Sequence, residues 1–458
     1  MTSRLAQPPG RFRAEAVAKL ADRHAQGMLD EATARLYHLR LKAWEDLDDV
    51  AALRERAREI RTRTMEDLER HLEDFRRAAE ARGTVVHRCA TAEDACATIV
   101  EICRRAGARG AAKAKSMATE EIGLNEALEA TGISVVETDL GEYILQLAGE
   151  RPVHIVAPAI EKTAEQVAEL FSTLEGAPVS TELGELTRTA RRRLREAFLA
   201  ADVGITGANF GVAETGSVCL ATNEGNGRLV TALPRIHVAV MGMERVVPTL
   251  AELVVLLKLL ARSATGQKLT SYTTLLTGPR RNEEKDGPEE MHVVIIDNGR
   301  TDLLRGRYRE MLNCIRCGAC INVCPVYRKA GGAAYGPVYS GPMGAVLAPL
   351  LAGLEHAPDH PHASSLCGAC TAACPVKIPL HELLLELRRD RIGTRVASRR
   401  DRLAFTLWSL AWSRLLGYRL STLAARFARP LAARIGPGRA WTSGRSLPPL
   451  ARRRYRDE

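Results

Sequence analysis

The segment CIRCGACINVCP, from Cys314 to Pro325, constrains this chain more than any other. Cys314, Cys317 and Cys320 recur at three-residue intervals, the spacing that wraps three thiolates around one iron-sulfur cluster. A fourth cysteine followed by proline, Cys324, turns away toward a second cluster. After 42 further residues the motif returns as CGACTAACP, with Cys367, Cys370 and Cys374. By the ligand crossover of two-cluster ferredoxins, Cys314, Cys317, Cys320 and Cys374 are expected to hold a 4Fe-4S cluster, and Cys324, Cys367 and Cys370 a second cluster.

The second set is one thiolate short, because Ser364 stands where a full motif would place its first cysteine. Its cluster is therefore expected to be 3Fe-4S, or 4Fe-4S completed by water, Ser364 or a nearby side chain, or to carry a labile iron that meets a substrate or partner. His356, His360, His362 and Asp359 lie close by, although a solvated loop also accounts for them, since imidazole ligation of clusters is uncommon. Structural zinc uses C-x2-C knuckles too, but in pairs rather than as a triplet followed by Cys-Pro. Cys89, Cys96, Cys103 and Cys219 fall in apolar strands or on one helix face and read as core.

The opening MTSRLAQPPGRFRAEA lacks an apolar stretch, so the reducing cytoplasm is the expected compartment and disulfides are disfavoured. A length of 458 residues implies two or three domains, and 46% hydrophobic with 26% charged residues excludes a wholly disordered chain. Residues 1–80 read as charged amphipathic helices, 81–298 as an α/β domain, 299–392 as the cysteine-bearing domain and 393–458 as a basic tail. The uncharged stretch Ala330–Leu354 is long enough to span a bilayer, yet its six Gly and three Pro would break a helix repeatedly. It is expected to form a buried loop and a short helix.

Within 81–298, apolar runs at 84–86, 133–136, 153–156, 203–206, 217–222, 229–233, 237–241 and 292–297 read as strands. They alternate with helical patterns at 92–106, 119–130, 160–173, 186–201 and 249–264. This alternation predicts a largely parallel sheet. Two ligand-site candidates stand out. Gly207, Gly211 and Gly216 form a glycine-rich loop beside Glu214, and Lys113 and Lys115 precede a helix start, a combination suited to an anion such as a carboxylate. Strand-connecting turns and ordinary capping account for the same residues. No G-x-G-x-x-G leads into a helix, so no dinucleotide fingerprint is present.

From Arg391 onward there are 16 Arg and three acids. That excess is larger than the +10 of the whole chain, so the remainder is slightly acidic and no nucleic-acid partner is expected. The apolar stretch Leu403–Trp412, flanked by Arg399, Arg400, Arg402 and Arg414, suits either docking on protein or an interfacial helix. The latter would allow peripheral contact with the inner face of a membrane, near a quinone.

The cysteine domain resembles, over roughly 80 residues, the helical ferredoxin module of succinate dehydrogenase and fumarate reductase iron-sulfur subunits. More broadly, AKSMATEEIGLNEALE, ETDLGEYILQL, GANFGVAETGSV, YTTLLTGPR, DGPEEMHVVIIDNGR and both cysteine motifs, in this order, resemble the lactate utilization protein B family. The resemblance implies an α/β LUD domain of the sugar-isomerase and CoA-transferase type, followed by an α-helical dicluster ferredoxin domain. It further implies an electron-transfer role, beside two companion lactate-utilisation subunits, in oxidising L-lactate to pyruvate. The competing expectation is a small-carboxylate or CoA-transferase-like protein whose clusters are structural.

Overall fold

A computed structural model describes residues 4–336, 338–393 and 399–432. Its ten strands are β1 (Thr84–Cys89), β2 (Gly110–Lys113), β3 (Ser134–Glu137), β4 (Val203–Gly207), β5 (Phe210–Val212), β6 (Ser217–Thr222), β7 (Ile236–Gly242), β8 (Val246–Val247), β9 (Tyr272–Leu276) and β10 (Glu290–Ile296). Six of them form one sheet in the order β1-β10-β7-β4-β2-β3, with every pairing parallel. The sequence of β7, IHVAVMG, is buried throughout, as a strand covered on both faces must be. A smaller sheet, β8-β5-β6-β9, mixes parallel and antiparallel pairs.

Helices cover both faces of the large sheet. Ala92–Arg105, opened by a Thr91–Asp94 capping box, packs Ile99, Ile102 and Cys103 against Val203, Val238 and Val294. Helices Leu140–Ala148, Ala164–Glu175 and Leu183–Ala200 gather Tyr143, Phe171 and Phe198 over Ala112. A third and larger core joins the amino-terminal helices, the small sheet and the cysteine motifs. The described residues through Arg388 make one compact unit.

Three local expectations are corrected. Residues 153–156 form no strand, because His154 Nδ1 accepts the N–H groups of Val156 and Ala157 at 3.1 Å each and removes them from any ladder. Residues 229–233 fall largely in the helix Asn226–Ala232, where Val230 is buried and Leu229 exposed, a helical rather than a strand periodicity. The pattern at 119–130 is two short helices, Met117–Ile122 and Leu124–Glu129, separated by Gly123 at φ 73°. The stretch 330–354 contains a 3-10 turn at Ala333–Tyr335 and the buried helix Gly341–Ala352. Among the described residues no helix is long and apolar enough to cross a membrane.

The amino-terminal helices staple the molecule. Arg61, fully buried on the helix Val50–Glu66, donates to the carbonyls of Val246, Leu312 and Asn313 at 3.0, 2.9 and 3.3 Å, and also to that of Glu244. Arg40 and Arg54 reach the second cysteine motif, at Ala373 O and Cys374 O. Beyond Arg388, the helices Arg399–Ser413 and Leu415–Ala432 pack on one another, with Trp408 stacked on Trp412 at 5.7 Å and Trp412 edge-on to Tyr418.

Candidate functional site

The first cysteine motif turns on two left-handed residues, Arg316 (φ 59°) and Gly318 (φ 76°), one on each side of Cys317. This alternation aims amide N–H groups inward at the sulfurs. Arg316 N–H donates to Cys314 Sγ at 3.4 Å, Ala319 N–H to the Cys317 sulfur, and Tyr327 N–H to Cys324 Sγ at 3.4 Å. A Cβ on Gly318 would lie 2.7 Å from Ile155 Cγ2. Arg316 does carry a Cβ, in a conformation costing about 1–2 kcal/mol. Its side chain is anchored by Glu244 at 3.0 Å and lies over the Tyr339 ring at 4.6 Å.

The second motif repeats the arrangement. Leu366 (φ 56°) and Gly368 (φ 81°) flank Cys367, the helix Ala369–Ala373 follows, and Ile378 N–H donates to Cys374 Sγ at 3.4 Å.

Electrostatic contacts sort the seven cysteines into two groups. Cys317 and Cys320 both face Cys314 and Cys374, while Cys324 faces Cys367 and Cys370 faces both. The groups adjoin where the helix Ala319–Asn322, which bears Cys320, packs on the helix Ala369–Ala373, which bears Cys370. Burial pushes the Cys317 thiol up to about 12 and those of Cys370 and Cys374 up to about 11. Thiols so placed ionise only against a strong cation such as iron, whose binding releases their protons. Cys367 differs: it is exposed and its thiol is lowered, chiefly by the Ala369 N–H.

Among the described residues, guanidinium groups gather about the first group. Arg61, Arg245 and Arg316 face Cys314, Arg40 faces Cys317 and Cys374, and Arg54 donates to Cys374 O at 2.7 Å. The second group has the hydroxyls of Tyr335 and Thr371 instead. Buried thiols, inward N–H groups and surrounding cations fit clusters of net negative charge. Among the described residues, no three His, Cys, Asp or Glu side chains converge tightly enough for a single metal ion, as zinc in a thiolate tetrahedron requires. A cube with one ligand per corner spreads its thiolates more widely.

His360 is buried with Nε2 at 2.7 Å from Tyr335 O, whereas His356 and His362 are exposed, and Asp359 accepts the Gly10 N–H at 2.6 Å.

A polar cavity of about 170 Å³ opens at the carboxyl ends of β2, β4 and β7, lined among others by Lys115, Asn209, Glu244, Arg245, Arg300 and Arg316. This edge is where open parallel sheets bind ligands. Arg300 holds Glu121 bidentately at 2.8 Å and Glu244 at 2.6 Å. Burial alone would raise the Glu244 carboxyl, but Arg300, Arg316 and Arg245 hold it down to about 2. Of the two lysines singled out in the sequence, Lys115 lines the cavity and bonds Val156 O at 3.1 Å. Lys113 is fully buried against Glu137 at 2.8 Å and Glu120 at 3.1 Å.

Glu214 lies apart from the cavity, where it accepts the Leu250 N–H at 2.9 Å and caps a helix. Gly216 admits the backbone of Ala79, and Gly211 admits Met241 and Phe75. Gly207 alone of the three lines the cavity, letting Ser116 approach. Sequence reasoning missed Glu244, Arg245 and Arg300. The available signal was a charged pair inside the apolar run VAVMGMERVV, where charges are buried only when partnered.

The LUD domain family matches residues 72–296, and the 4Fe-4S dicluster domain family matches residues 310–378. Lactate utilization protein B of Shouchella clausii is 53% identical over 367 residues, covering 78% of this chain and 77% of that protein. Lactate utilization protein B of Bacillus cytotoxicus is 46% identical over 448 residues, covering 96% of this chain and 94% of that protein. A solved DUF162 family protein from Deinococcus radiodurans aligns at 16% identity and a TM-score of 0.29, over 51% of this chain and 98% of its own. With an α/β domain and a dicluster domain in this order, and an alignment that runs almost end to end, the chain belongs to the lactate utilization protein B family.

Proposed function

We propose that this chain is the electron-transfer subunit of an L-lactate-oxidising system. Cys314, Cys317, Cys320 and Cys374 hold one four-iron cluster, and Cys324, Cys367 and Cys370 hold the second. The observation that carries this reading is the packing of the helix Ala319–Asn322, which bears Cys320, on the helix Ala369–Ala373, which bears Cys370, setting the two thiol groups side by side. The path through them runs from the cavity beside Arg316 to the exposed Cys367.

Conversion of L-lactate to pyruvate releases two electrons and two protons, and iron-sulfur clusters supply one-electron steps. The inward N–H groups and the five arginines stabilise the negative charge that each electron adds. The chain has no flavin or nicotinamide fingerprint, so removal of the electron pair from substrate falls to the two companion subunits. The exposed Phe405 and Trp408, on an Arg-rich tail, suit peripheral contact with an anionic membrane surface, within reach of a lipid-soluble quinone.

The test is an EPR-monitored redox titration of the anaerobic full-length protein, followed by addition of the companion subunits and L-lactate. Reversible reduction of both clusters, and their reduction by L-lactate, is expected. Clusters that do not cycle would overturn the relay and favour a carboxylate-binding protein with structural clusters.

A further inference from the structure

The two cysteine motifs are copies of one backbone design. Cys367, Cys370, Cys374 and Pro375 each lie 50 positions after Cys317, Cys320, Cys324 and Pro325. The left-handed pair Arg316 and Gly318 returns at the same offset as Leu366 and Gly368, with φ of 59° and 76° against 56° and 81°. Short helices begin in the same register, at Ala319 and Ala369.

The offset also pairs Ser364 with Cys314, and the local hydrogen bonding agrees. Arg316 N–H donates to Cys314 Sγ at 3.4 Å, and Leu366 N–H donates to Ser364 Oγ at 3.1 Å. Both are bonds from residue i+2 back to the side chain of residue i. Leu366 has no guanidinium to anchor it in a conformation that costs about 1–2 kcal/mol. The loop nevertheless keeps the ligand-bearing shape at the one position where the thiolate is missing.

We propose that Ser364 Oγ is the fourth protein ligand of the second cluster, making it a four-iron cluster with three thiolates and one alkoxide. On ligation the Ser364 O–H bond breaks, an Fe–O bond forms and the proton leaves to solvent, with no change in oxidation state. Arg388 positions the loop, donating to Ser364 O and Pro361 O at 2.7 Å each, and its charge favours the alkoxide. The competing donor is His360, whose Nε2 is taken by Tyr335 O and whose buried Nδ1 has no partner.

This inference rests on the two-cluster reading, and the experiment separates the two. Iron and sulfide are counted on anaerobic full-length protein, with EPR and Mössbauer spectra, for wild type, Ser364→Ala, Ser364→Cys, His360→Ala and Cys370→Ala. Wild type is expected to hold about eight irons. Ser364→Ala is expected to fall to about seven with an oxidised three-iron signal, the unchanged first cluster reporting an intact fold. Ser364→Cys is expected to keep about eight and to raise the potential of the second cluster alone, because thiolate stabilises ferric iron less than alkoxide does. Ser364→Ala with about eight irons and unchanged spectra would overturn the assignment, as would loss of the fourth iron in His360→Ala instead. Full iron content in Cys370→Ala, where no ligand replaces the thiolate, would sink the two-cluster reading itself.

Discussion

Arg316 joins the α/β domain to the first cysteine motif through Glu244: its Nη2 donates to Glu244 Oε1 at 3.0 Å while its own N–H donates to Cys314 Sγ at 3.4 Å. Glu244 is shared with Arg300, so the lining of the cavity and the ligand loop form one buried ion network. Charge at one end is therefore felt at the other.

Arg316→Met is expected to lower the reduction potential of the first cluster, because it removes a buried positive charge beside Cys314, and to leave the second cluster unchanged. It also leaves Glu244 with one cation fewer, at a cost of roughly 2–3 kcal/mol. EPR-monitored titration and anaerobic thermal unfolding read the two effects. Equal shifts in both clusters would contradict the placement of Arg316 beside the first group.

Arg61 makes a stability prediction. Arg61→Met strips the donor from four buried carbonyls on two chain segments, Glu244 and Val246 on one and Leu312 and Asn313 on the other. A loss of about 3–5 kcal/mol is expected. Arg61→Lys should recover little of it, since an ammonium cannot reach four acceptors in the fork geometry. Denaturation midpoints decide; near-wild-type stability for the lysine variant would show that charge alone suffices.

These arginines also mark where the sequence stops being legible. Strands β7 and β10 read directly from their buried apolar runs, and the cysteines from a spacing that ligand geometry imposes. Strand β2, GAAK, has almost no side-chain signal, because small residues suit its central place between β3 and β4. The partners of Arg61 and Arg300 lie more than 170 positions away for every bond except that of Arg300 to Asp297 O and the bond to Glu244 Oε2, and no local pattern encodes such pairings. Glu214, which accepts the Leu250 N–H, shows the same limit locally, because a helix-capping carboxylate and a catalytic one look alike in sequence.

His154 makes stability depend on pH. It ties the α/β domain to the cysteine region through Asn322 Oδ1 at 3.0 Å. Burial lowers its pKa from 6.5 to about 4, although the bond to Asn322 acts in the opposite direction. The folded chain thus refuses a proton that the unfolded chain accepts. The contribution is fully present above about pH 6.5 and falls as the pH drops toward 4, by about 2 kcal/mol at pH 5. The stability advantage of wild type over His154→Gln should shrink accordingly. A difference that stays flat from pH 7.5 to pH 5 would remove His154 from this role.

The tail carries the last prediction. Phe405, Trp408 and Trp412 recur at helical spacing on Arg399–Ser413, and all three are exposed, as are Leu416 and Phe427 on the following helix. Aromatic side chains prefer the membrane–water interface, and each arginine near an anionic surface contributes on the order of 1 kcal/mol, a contribution that salt screens. Purified full-length protein is therefore expected to float with anionic liposomes at low salt and to release at high salt, whereas a chain truncated before Arg399 stays in the soluble fraction. Neutral liposomes should capture less, because the electrostatic part is then missing. If the full-length protein fails to float at low salt, the aromatic stripe serves protein contact, and the electron acceptor must be reached through a partner subunit rather than through lipid.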